Sequence, residues 1–320
     1  MAEVVRHVGV VIFYPDDPRP ATWRRPFVAL GNFDGLLRGP QKIVERVSRQ
    51  AREHGATAVV MTFDPHPPRI VRPDKAPPLL MTNAQRVEAL RKAGIDGVAF
   101  VRFTHEMSQW EPELFVRDVI AGWLHPAEVW VGGNFLFGRN RSGNFSLLRS
   151  LGLRYGFRAE QIDPVRYRDF VVSSTRVRRL ITEGRVDEAA ALLGHYHFVD
   201  GTVVAGAGRG RSIGIPTANL TTENELLPPL GVYATAVTIG RTVHRAITNI
   251  GVRPTFETGG AATIETHVFG LDEDLYGREL RLSFVLRLRA EQTFPDVAAL
   301  VAQIRADCAE AQALFDRLSP

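Results

Sequence analysis

The segment from Gly206 to Asn219 combines many glycines with polar side chains that suit an anion and its counter-ion. Four glycines lie within the nine positions from Gly206 to Gly214. Glycine lets a backbone approach a ligand closely and point successive N–H groups at phosphate oxygens. The segment follows neither the Walker A pattern nor the dinucleotide-binding fingerprint. Its composition leaves two alternatives, a phosphate-binding loop or a flexible loop between strands.

Thr217 and Asn219 carry the oxygen atoms that a magnesium ion prefers. Residues two positions apart on an extended chain point to the same side, so the Thr217 hydroxyl and the Asn219 amide oxygen face one way. Hard oxygen ligands of this kind suit Mg²⁺ that arrives with a nucleotide. We therefore predict both residues as metal ligands, and they favour the phosphate-binding alternative for the glycine-rich loop.

Glu265 is a carboxylate within an alternating strand pattern that runs from Thr263 to Phe269. The alternation puts Glu265 on the face opposite Ile264 and Thr266. A carboxylate among β-branched residues is either a solvated charge on the strand face or a working general base. Taken by itself, the strand favours the solvated charge.

The elements that position these residues follow two patterns. Up to about Gly194, short apolar runs alternate with amphipathic segments, which predicts a parallel sheet with crossover helices. The candidate strands are Val8 to Tyr14, Phe27 to Gly31, Thr57 to Phe63, Gly97 to Phe103, Glu128 to Gly132 and Arg158 to Asp163. The candidate helices are Pro40 to His54, a helix capped by Asn83 and a helix opened by Pro112.

After Gly194 the pattern changes to strands joined by turns. Leu280 to Arg289 alternates apolar and polar residues and is the clearest of them. Further candidates are Val199 to Val204, Gly231 to Ile239, Val243 to Ile250 and Thr263 to Phe269. Together they predict a small antiparallel barrel, on which an amphipathic helix from Asp296 to Leu318 packs.

Length and composition agree with a two-domain globular protein. The 320 residues, at about 150 per domain, predict two domains, which we place at 1–183 and 184–320. With 45% hydrophobic and 23% charged residues, the chain is neither disordered nor a disulfide scaffold. The net charge of +4 suits anionic small molecules and does not indicate a nucleic-acid partner.

A single cysteine, Cys308, excludes an intramolecular disulfide and fits a reducing compartment. The sequence has no apolar run of about 18 residues, the length of a membrane-spanning helix. We therefore expect a cytoplasmic protein without a membrane partner.

Several motifs in the second half occur together at the spacings of one family. They are Gly208-Arg209-Gly210-Arg211, Gly214-Ile-Pro216-Thr217-Ala218-Asn219, Gly231-Val-Tyr233, Asn249-Ile-Gly251-Val-Arg253-Pro254-Thr255-Phe256, Glu265 and Asp274-Leu-Tyr276-Gly277. In these motifs the chain resembles the prokaryotic bifunctional riboflavin kinases/FMN adenylyltransferases, or FAD synthetases. The resemblance implies that this half folds as a six-stranded barrel with a helix. It also implies that this domain uses Mg²⁺-ATP to convert riboflavin to FMN.

The resemblance also implies roles for individual residues of this half. Thr217 and Asn219 meet Mg²⁺-ATP, and Glu265 takes the proton from the riboflavin 5′-hydroxyl. This assignment favours the general base over the solvated charge. The nucleotide-binding residues implied in this half are Gly208, Arg209, Gly210, Arg211, Gly214, Pro216, Thr217 and Asn219.

The first half matches the adenylyltransferase module of the same family. The matching motifs are Gly31-Asn32-Phe33-Asp34-Gly35, Phe63-Asp64-Pro65-His66-Pro67, Phe135-Leu-Phe137-Gly138, Arg141-Ser142-Gly143 and Ser173-Ser174-Thr175-Arg176-Val177-Arg178. They imply a Rossmann-like nucleotidyltransferase domain with a nucleotide- or flavin-shaped crevice at the carboxyl ends of its strands. The binding residues implied there are Gly31, Asp34, Asp64, His66, Ser174 and Arg178.

One departure from the family falls on residues that carry chemistry. The family has a His-x-Gly-His motif directly after the first of these motifs, whereas this sequence has Leu37-Arg38-Gly39-Pro40. Histidines at this position donate hydrogen bonds to ATP phosphates at a helix N-terminus. Leu37 cannot donate, and Pro40 lacks both an imidazole and a backbone N–H. Asn134 is a second departure, because the family usually has an acid there.

These departures predict a riboflavin kinase whose FAD-forming activity is weak or lost. A first alternative is that both activities persist, with Arg38, His66 and Mg²⁺ replacing the missing histidines. A second alternative is a non-catalytic regulator that binds FMN or FAD in the crevice of the first half. The sequence leaves the oligomeric state open.

Overall fold

The computed structural model describes residues 10–13, 18–164, 166–167, 170–206, 210, 213–252 and 262–318. The chain divides into two compact units, Met1–Ser174 and Thr175–Pro320. The domain boundary that we place after residue 183 stays a prediction. Three residues predicted to bind the nucleotide, Gly208, Arg209 and Arg211, lie outside the described residues.

The first unit contains a parallel six-stranded sheet. Strands β1 to β6 are Val10–Phe13, Phe27–Leu30, Ala58–Asp64, Gly97–Arg102, Glu128–Gly132 and Arg158–Ile162. They lie in the order β1-β4-β3-β2-β5-β6, so the strand order reverses between β2 and β5. Ligands of open α/β sheets bind at the carboxyl ends of the strands at such a point. The sheet confirms the predicted α/β fold and its predicted strands.

Helices cover both faces of this sheet. Helices α1 to α6 are Arg38–Glu53, Pro67–Val71, Asn83–Lys92, His105–Ser108, Pro112–Phe115 and Phe145–Tyr155. A short hairpin of β7 (Arg166–Tyr167) and β8 (Phe170–Val171) follows β6. The apolar face predicted for α1 is buried, as its residues Ile43, Val44, Val47 and Ala51 show.

One predicted helix cap needs correction, and one predicted helix continues in an unusual form. The N-cap of α3 is Thr82 and not Asn83, because the Thr82 hydroxyl accepts from the Gln85 N–H while the Gln85 side chain accepts from the Thr82 N–H. The helix opened by Pro112 continues as a π-helix over Val116–Leu124. A Cβ on Gly122 would lie 2.8 Å from the carbonyl oxygen five residues earlier, so glycine permits this wider turn.

The second unit is a closed antiparallel barrel. Strands β9 to β14 are His197–Val204, Ala218–Thr222, Gly231–Ile239, Thr242–Val252, Ala262–Val268 and Glu279–Ala290. Around the barrel they follow the order β10-β13-β12-β11-β14-β9. Helices α7 (Ser174–Thr182), α8 (Val186–Leu193) and α9 (Val297–Leu318) complete the fold. The barrel and its terminal helix confirm the prediction, although β10 was not among the predicted strands.

Helix α9 packs on the outside of the barrel. Its residues Ala311 and Phe315 are buried in a cluster with Ile247 of β12. An ion pair adds to this contact, since the Arg289 guanidinium donates to the buried Asp307 carboxylate at 2.8 Å. Across the described parts of the chain, no helix has the length and apolar character that crossing a membrane requires.

We expect the second unit to lose stability as the pH falls from about 6.5 towards 4. Burial lowers the pKa of His197 to about 4, and its Nε2–H donates to the Leu226 carbonyl at 3.0 Å. Below pH 6.5 the unfolded chain binds a proton that the folded chain does not, so acid favours unfolding. Between pH 7 and pH 5 this costs about 2 kcal/mol. Urea unfolding at both pH values checks the loss.

The control for this prediction is His197→Gln, which keeps an amide donor but does not titrate. Its free energy of unfolding should depend less steeply on pH than that of the unchanged chain. Equal pH dependence in the two proteins would contradict the assignment to His197.

Candidate functional site

Three polar side chains form one row across neighbouring strands of the barrel. Glu265 of β13 lies directly opposite Asn219 of β10 on one side and Asn249 of β12 on the other. Directly opposed residues have Cβ atoms about 4.5–5.5 Å apart. The neighbours of Glu265 along the strand, Ile264 and Thr266, are buried inside the barrel. Glu265 therefore lies on the opposite, outer face of the barrel, next to Asn219, one of the two predicted metal ligands.

Two described glycines of this segment, Gly206 and Gly210, lie against the two predicted metal ligands. A Cβ on Gly206 would lie 2.1 Å from Nδ2 of Asn219, and one on Gly210 would lie 3.0 Å from Oγ1 of Thr217. The Ile215 N–H donates to the Gly210 carbonyl at 2.8 Å, which holds these two residues together. The close approach of the backbone to Asn219 and Thr217 therefore requires glycine at both positions. A flexible linker would not impose this requirement.

Gly206→Ala is expected to raise the KM for Mg²⁺-ATP in FMN formation about tenfold, since displacing one charge-assisted contact costs roughly 1.4 kcal/mol. The added methyl group must push the Asn219 amide away from its place beside Glu265. Steady-state kinetics at varied Mg²⁺-ATP check this prediction.

Gly132→Ala is the matched control for that substitution. The new Cβ would meet only Cδ1 of Ile43, at 3.6 Å, an ordinary contact in the first unit. Its KM for Mg²⁺-ATP should be unchanged, and an equal effect of both substitutions would contradict a specific role of Gly206.

His267 holds the start of β10 against β13. Its ring Nδ1–H donates to the Pro216 carbonyl at 2.8 Å, and Pro216 directly precedes Thr217. His267 is a site residue that was not predicted, and its only signal in the sequence is its alternate spacing from Glu265, which puts the two on one face. The hydrogen bond fixes Thr217 relative to the strand that carries the carboxylate.

A cavity of about 80 Å³ opens beside Thr217. Its walls include Pro216 and Thr217 on one side and the segment from Glu273 to Tyr276 on the other. The Asp274 carboxylate accepts from the Tyr276 N–H at 3.0 Å, which shapes this segment. The matched Asp274–Gly277 motif therefore lies next to a predicted metal ligand.

The arrangement provides the parts that phosphoryl transfer needs. That reaction requires a positioned nucleophile, neutralised phosphate charge and an acceptor for the hydroxyl proton. Hydroxyl and amide oxygens such as those of Thr217 and Asn219 suit Mg²⁺ carried by a nucleotide, and the Glu265 carboxylate opposite Asn219 is of a type that can accept a proton. Among the described residues, no group of three or more His, Cys, Asp and Glu side chains is arranged to hold a metal ion.

In the first unit, the loop after β2 has an unusual backbone. Phe33 and Leu36 have positive φ values of 48° and 40°, conformations that non-glycine residues rarely adopt. The buried Asp34 carboxylate accepts from the Leu80 N–H at 2.9 Å and from the Met81 N–H at 3.2 Å. Strain of this kind clusters at ligand sites, and Asp34 holds the loop in place. Direct contact between Asp34 and a nucleotide stays a prediction.

The residues that replace the family histidines begin helix α1. Leu37 occupies the N-cap position without a side-chain hydrogen bond, and its side chain is only 2% exposed. Arg38 is exposed, and its guanidinium lies 5.7 Å from the centre of the Tyr167 ring. Pro40 lies in the first turn. This helix start therefore presents one cation and neither imidazole.

A buried arginine connects the crevice motifs of the first unit. Arg86 donates to the Asn32 carbonyl at 3.2 Å and to the Asn83 amide oxygen at 2.7 Å. Asn83 in turn donates to the Asp64 carboxylate at 3.0 Å. Burial lowers the pKa of Arg86 below its ordinary value. The only signal of Arg86 in the sequence is its position one turn before Leu90, on the face of α3 that is buried.

Of the remaining predicted residues, Gly31, His66 and Ser174 lie at the ends of strands and helices. Gly31 directly follows β2, and its N–H donates to the Met61 carbonyl at 3.1 Å. His66 is 7% exposed and lies at the N-cap position of α2. Ser174 begins α7, with Arg178 one turn further along. Their contacts with a nucleotide stay predictions.

Known proteins match both units of the chain. The family model described as FAD synthetase matches residues 19–176, and the one described as riboflavin kinase matches residues 193–315. A bifunctional riboflavin kinase/FMN adenylyltransferase from Escherichia coli (strain K12) is 33% identical over 92% of this chain and 94% of its own length. One from Pseudomonas fluorescens is 35% identical over 89% and 91%.

A solved structure agrees over the whole fold. The crystal structure described as a macrolide-efflux protein from Streptococcus pneumoniae is 27% identical, with a TM-score of 0.86 over 95% of this chain and 99% of that one. Together with the identity to the bacterial enzymes, these matches confirm the resemblance seen in the motifs. The chain belongs to the bifunctional riboflavin kinase/FMN adenylyltransferase family.

Proposed function

We propose that this chain phosphorylates riboflavin with ATP to give FMN, in the cytoplasm and on small-molecule substrates alone. The observation that carries the proposal is the register of β10 and β13, which sets Asn219 directly opposite Glu265. A proton acceptor and a ligand for nucleotide-bound Mg²⁺ are thereby neighbours on one face. The family matches of the second unit support the same reaction.

In the proposed reaction, Glu265 accepts the proton of the riboflavin 5′-hydroxyl. The hydroxyl oxygen then bonds to the γ-phosphorus of ATP as the bond from that phosphorus to the β–γ bridging oxygen breaks, and ADP leaves. Thr217 and Asn219 would hold Mg²⁺, which supplies neutralising charge on the phosphates. The loop at Gly210 brings its backbone close to Thr217, which suits an anion at the same place.

We further propose that adenylyl transfer to FMN is weak in this chain. The buried Leu37 side chain and Pro40 remove the two imidazole donors from the start of α1. The Arg38 cation near Tyr167 supports the alternative in which FAD is still made. The missing imidazoles predict little FAD, whereas the Arg38 cation favours continued FAD formation. Direct measurement of FAD distinguishes the two alternatives.

The experiment incubates purified full-length protein with Mg²⁺-ATP and either riboflavin or FMN, and separates the flavins by chromatography. FMN from riboflavin with no FAD above a no-enzyme control is the expected result. Efficient formation of FAD from FMN would overturn the proposed weakness of the first unit. Absence of FMN would overturn the kinase assignment and favour a flavin-binding regulator.

A further inference from the structure

A separate cavity lies at the amino edge of the parallel sheet in the first unit. It has a volume of about 480 Å³ and is lined by Phe27 and Arg158, the first residues of β2 and β6. β2 extends about 13 Å at the usual rise per residue, and Gly31 follows its other end. The cavity is therefore distinct from the crevice at the carboxyl ends of the strands.

The lining of this cavity combines polar and apolar surface in similar amounts, and its apolar part includes two phenylalanine residues. Phe27 and Phe157 are each 4% exposed and form its floor. The His54 ring packs on the Phe27 ring with 5.2 Å between centres and 32° between planes. Leu153 lines the cavity and is 76% exposed, which is high for a large apolar side chain. A flat ring would find aromatic and aliphatic surfaces here.

Backbone geometry keeps the cavity open. Helix α6 ends at Gly156, whose φ of 84° is left-handed and favours glycine. A Cβ on the buried Gly152 would lie 2.8 Å from the Phe157 carbonyl. Of the residues at this helix end that line the cavity, Gly152 and Gly156 carry no side chain, and Leu153 carries one.

Two arginines, Arg25 and Arg158, are among the residues that line the cavity. The Arg158 guanidinium is anchored by the buried Glu128 carboxylate at 2.9 Å, while its side chain stays 68% exposed. A guanidinium has five N–H donors, so one anchoring contact leaves others for an anion. Arg25 is exposed and has a φ of 39°, a strained conformation that in proteins is concentrated at ligand sites.

We propose that this cavity binds a planar aromatic anion. The ring lies against the exposed side chains of His54 and Leu153, and the acidic group is bound by Arg25 and Arg158. The volume falls within the range of about 300–1,000 Å³ typical of small-molecule sites. The proposal does not depend on either reaction of the flavin-forming sites.

The test titrates 8-anilinonaphthalene-1-sulfonate, a fluorescent aromatic sulfonate, into the full-length protein. Arg25→Gln, Arg158→Gln and Leu153→Glu should each weaken its binding about tenfold, which corresponds to loss of one charge-assisted contact or addition of one repulsive charge. Because Arg25 and Leu153 are exposed, substitutions there leave the core intact. Arg149→Gln, on the exposed surface of α6, is the matched control and should bind like the unchanged chain.

Equal affinity in all four variants would overturn the proposal, as would a co-crystal with the probe bound elsewhere. Competition against the bound probe then identifies the acidic group. Displacement by FMN or ATP indicates a phosphate, and displacement by benzoate indicates a carboxylate.

Discussion

Glu265→Gln is expected to lower kcat for FMN formation by about 100- to 10,000-fold, the usual contribution of a general base. The amide has nearly the shape of the carboxylate but cannot accept the proton of the 5′-hydroxyl. Asn219 and Asn249 remain opposite position 265, so the KM for Mg²⁺-ATP should change much less than kcat. Initial rates of FMN formation, measured by chromatography, give both constants.

Glu279→Gln is the control for this substitution. Glu279 is an exposed carboxylate on β14 of the same barrel, so the change in net charge is identical. Its kinetics should match those of the unchanged chain. Near-normal turnover in Glu265→Gln would remove the base from the proposed reaction, and a loss of turnover accompanied by a lowered melting temperature would indicate a structural effect instead.

The sequence pattern predicted which face of a strand a residue lies on. It did not predict the register in which neighbouring strands pair. Alternation predicted that Glu265 lies on the face opposite Ile264 and Thr266, and both of these neighbours are buried inside the barrel. A shared face for Thr217 and Asn219 stays a prediction. The pairing of Asn219 with Glu265 joins segments far apart in the chain. Strand register depends on the turns and on the buried faces of all neighbouring strands, so local patterns could not reveal it.

Local sequence patterns also could not predict contacts between a side chain and backbone groups far along the chain. Asp34 was predicted to bind a ligand because it lies in a motif, yet its carboxylate accepts from the N–H groups of Leu80 and Met81. Nothing near Asp34 in the sequence indicates those partners. The α3 cap shows the same limit at short range: Thr82 and Asn83 are both good caps, and the reciprocal bond from Gln85 decides between them.

Restoring both histidines, with Leu37→His and Pro40→His together, is expected to raise FAD formation from FMN by at least about 100-fold, because each preorganised donor at such a site contributes roughly 100- to 1,000-fold. The structure predicts that the two substitutions contribute unequally to this gain in FAD formation. Position 40 is partly exposed in the first turn of α1, where an imidazole can face a phosphate. Position 37 is 2% exposed, so its imidazole must move outward or be buried at a cost in stability.

Pro40→His alone should therefore give much of the gain, and Leu37→His alone should give less and lower the melting temperature. Proline at position 40 removes both the imidazole and the backbone N–H. Pro40→Ala separates these two effects, because it restores the N–H without an imidazole. If Pro40→Ala gives as much FAD as Pro40→His, the backbone donor and not the imidazole was limiting. If the folded double variant gives no gain, the weakness of the first unit has its cause elsewhere in the crevice, and the second departure, Asn134, becomes the next position to change.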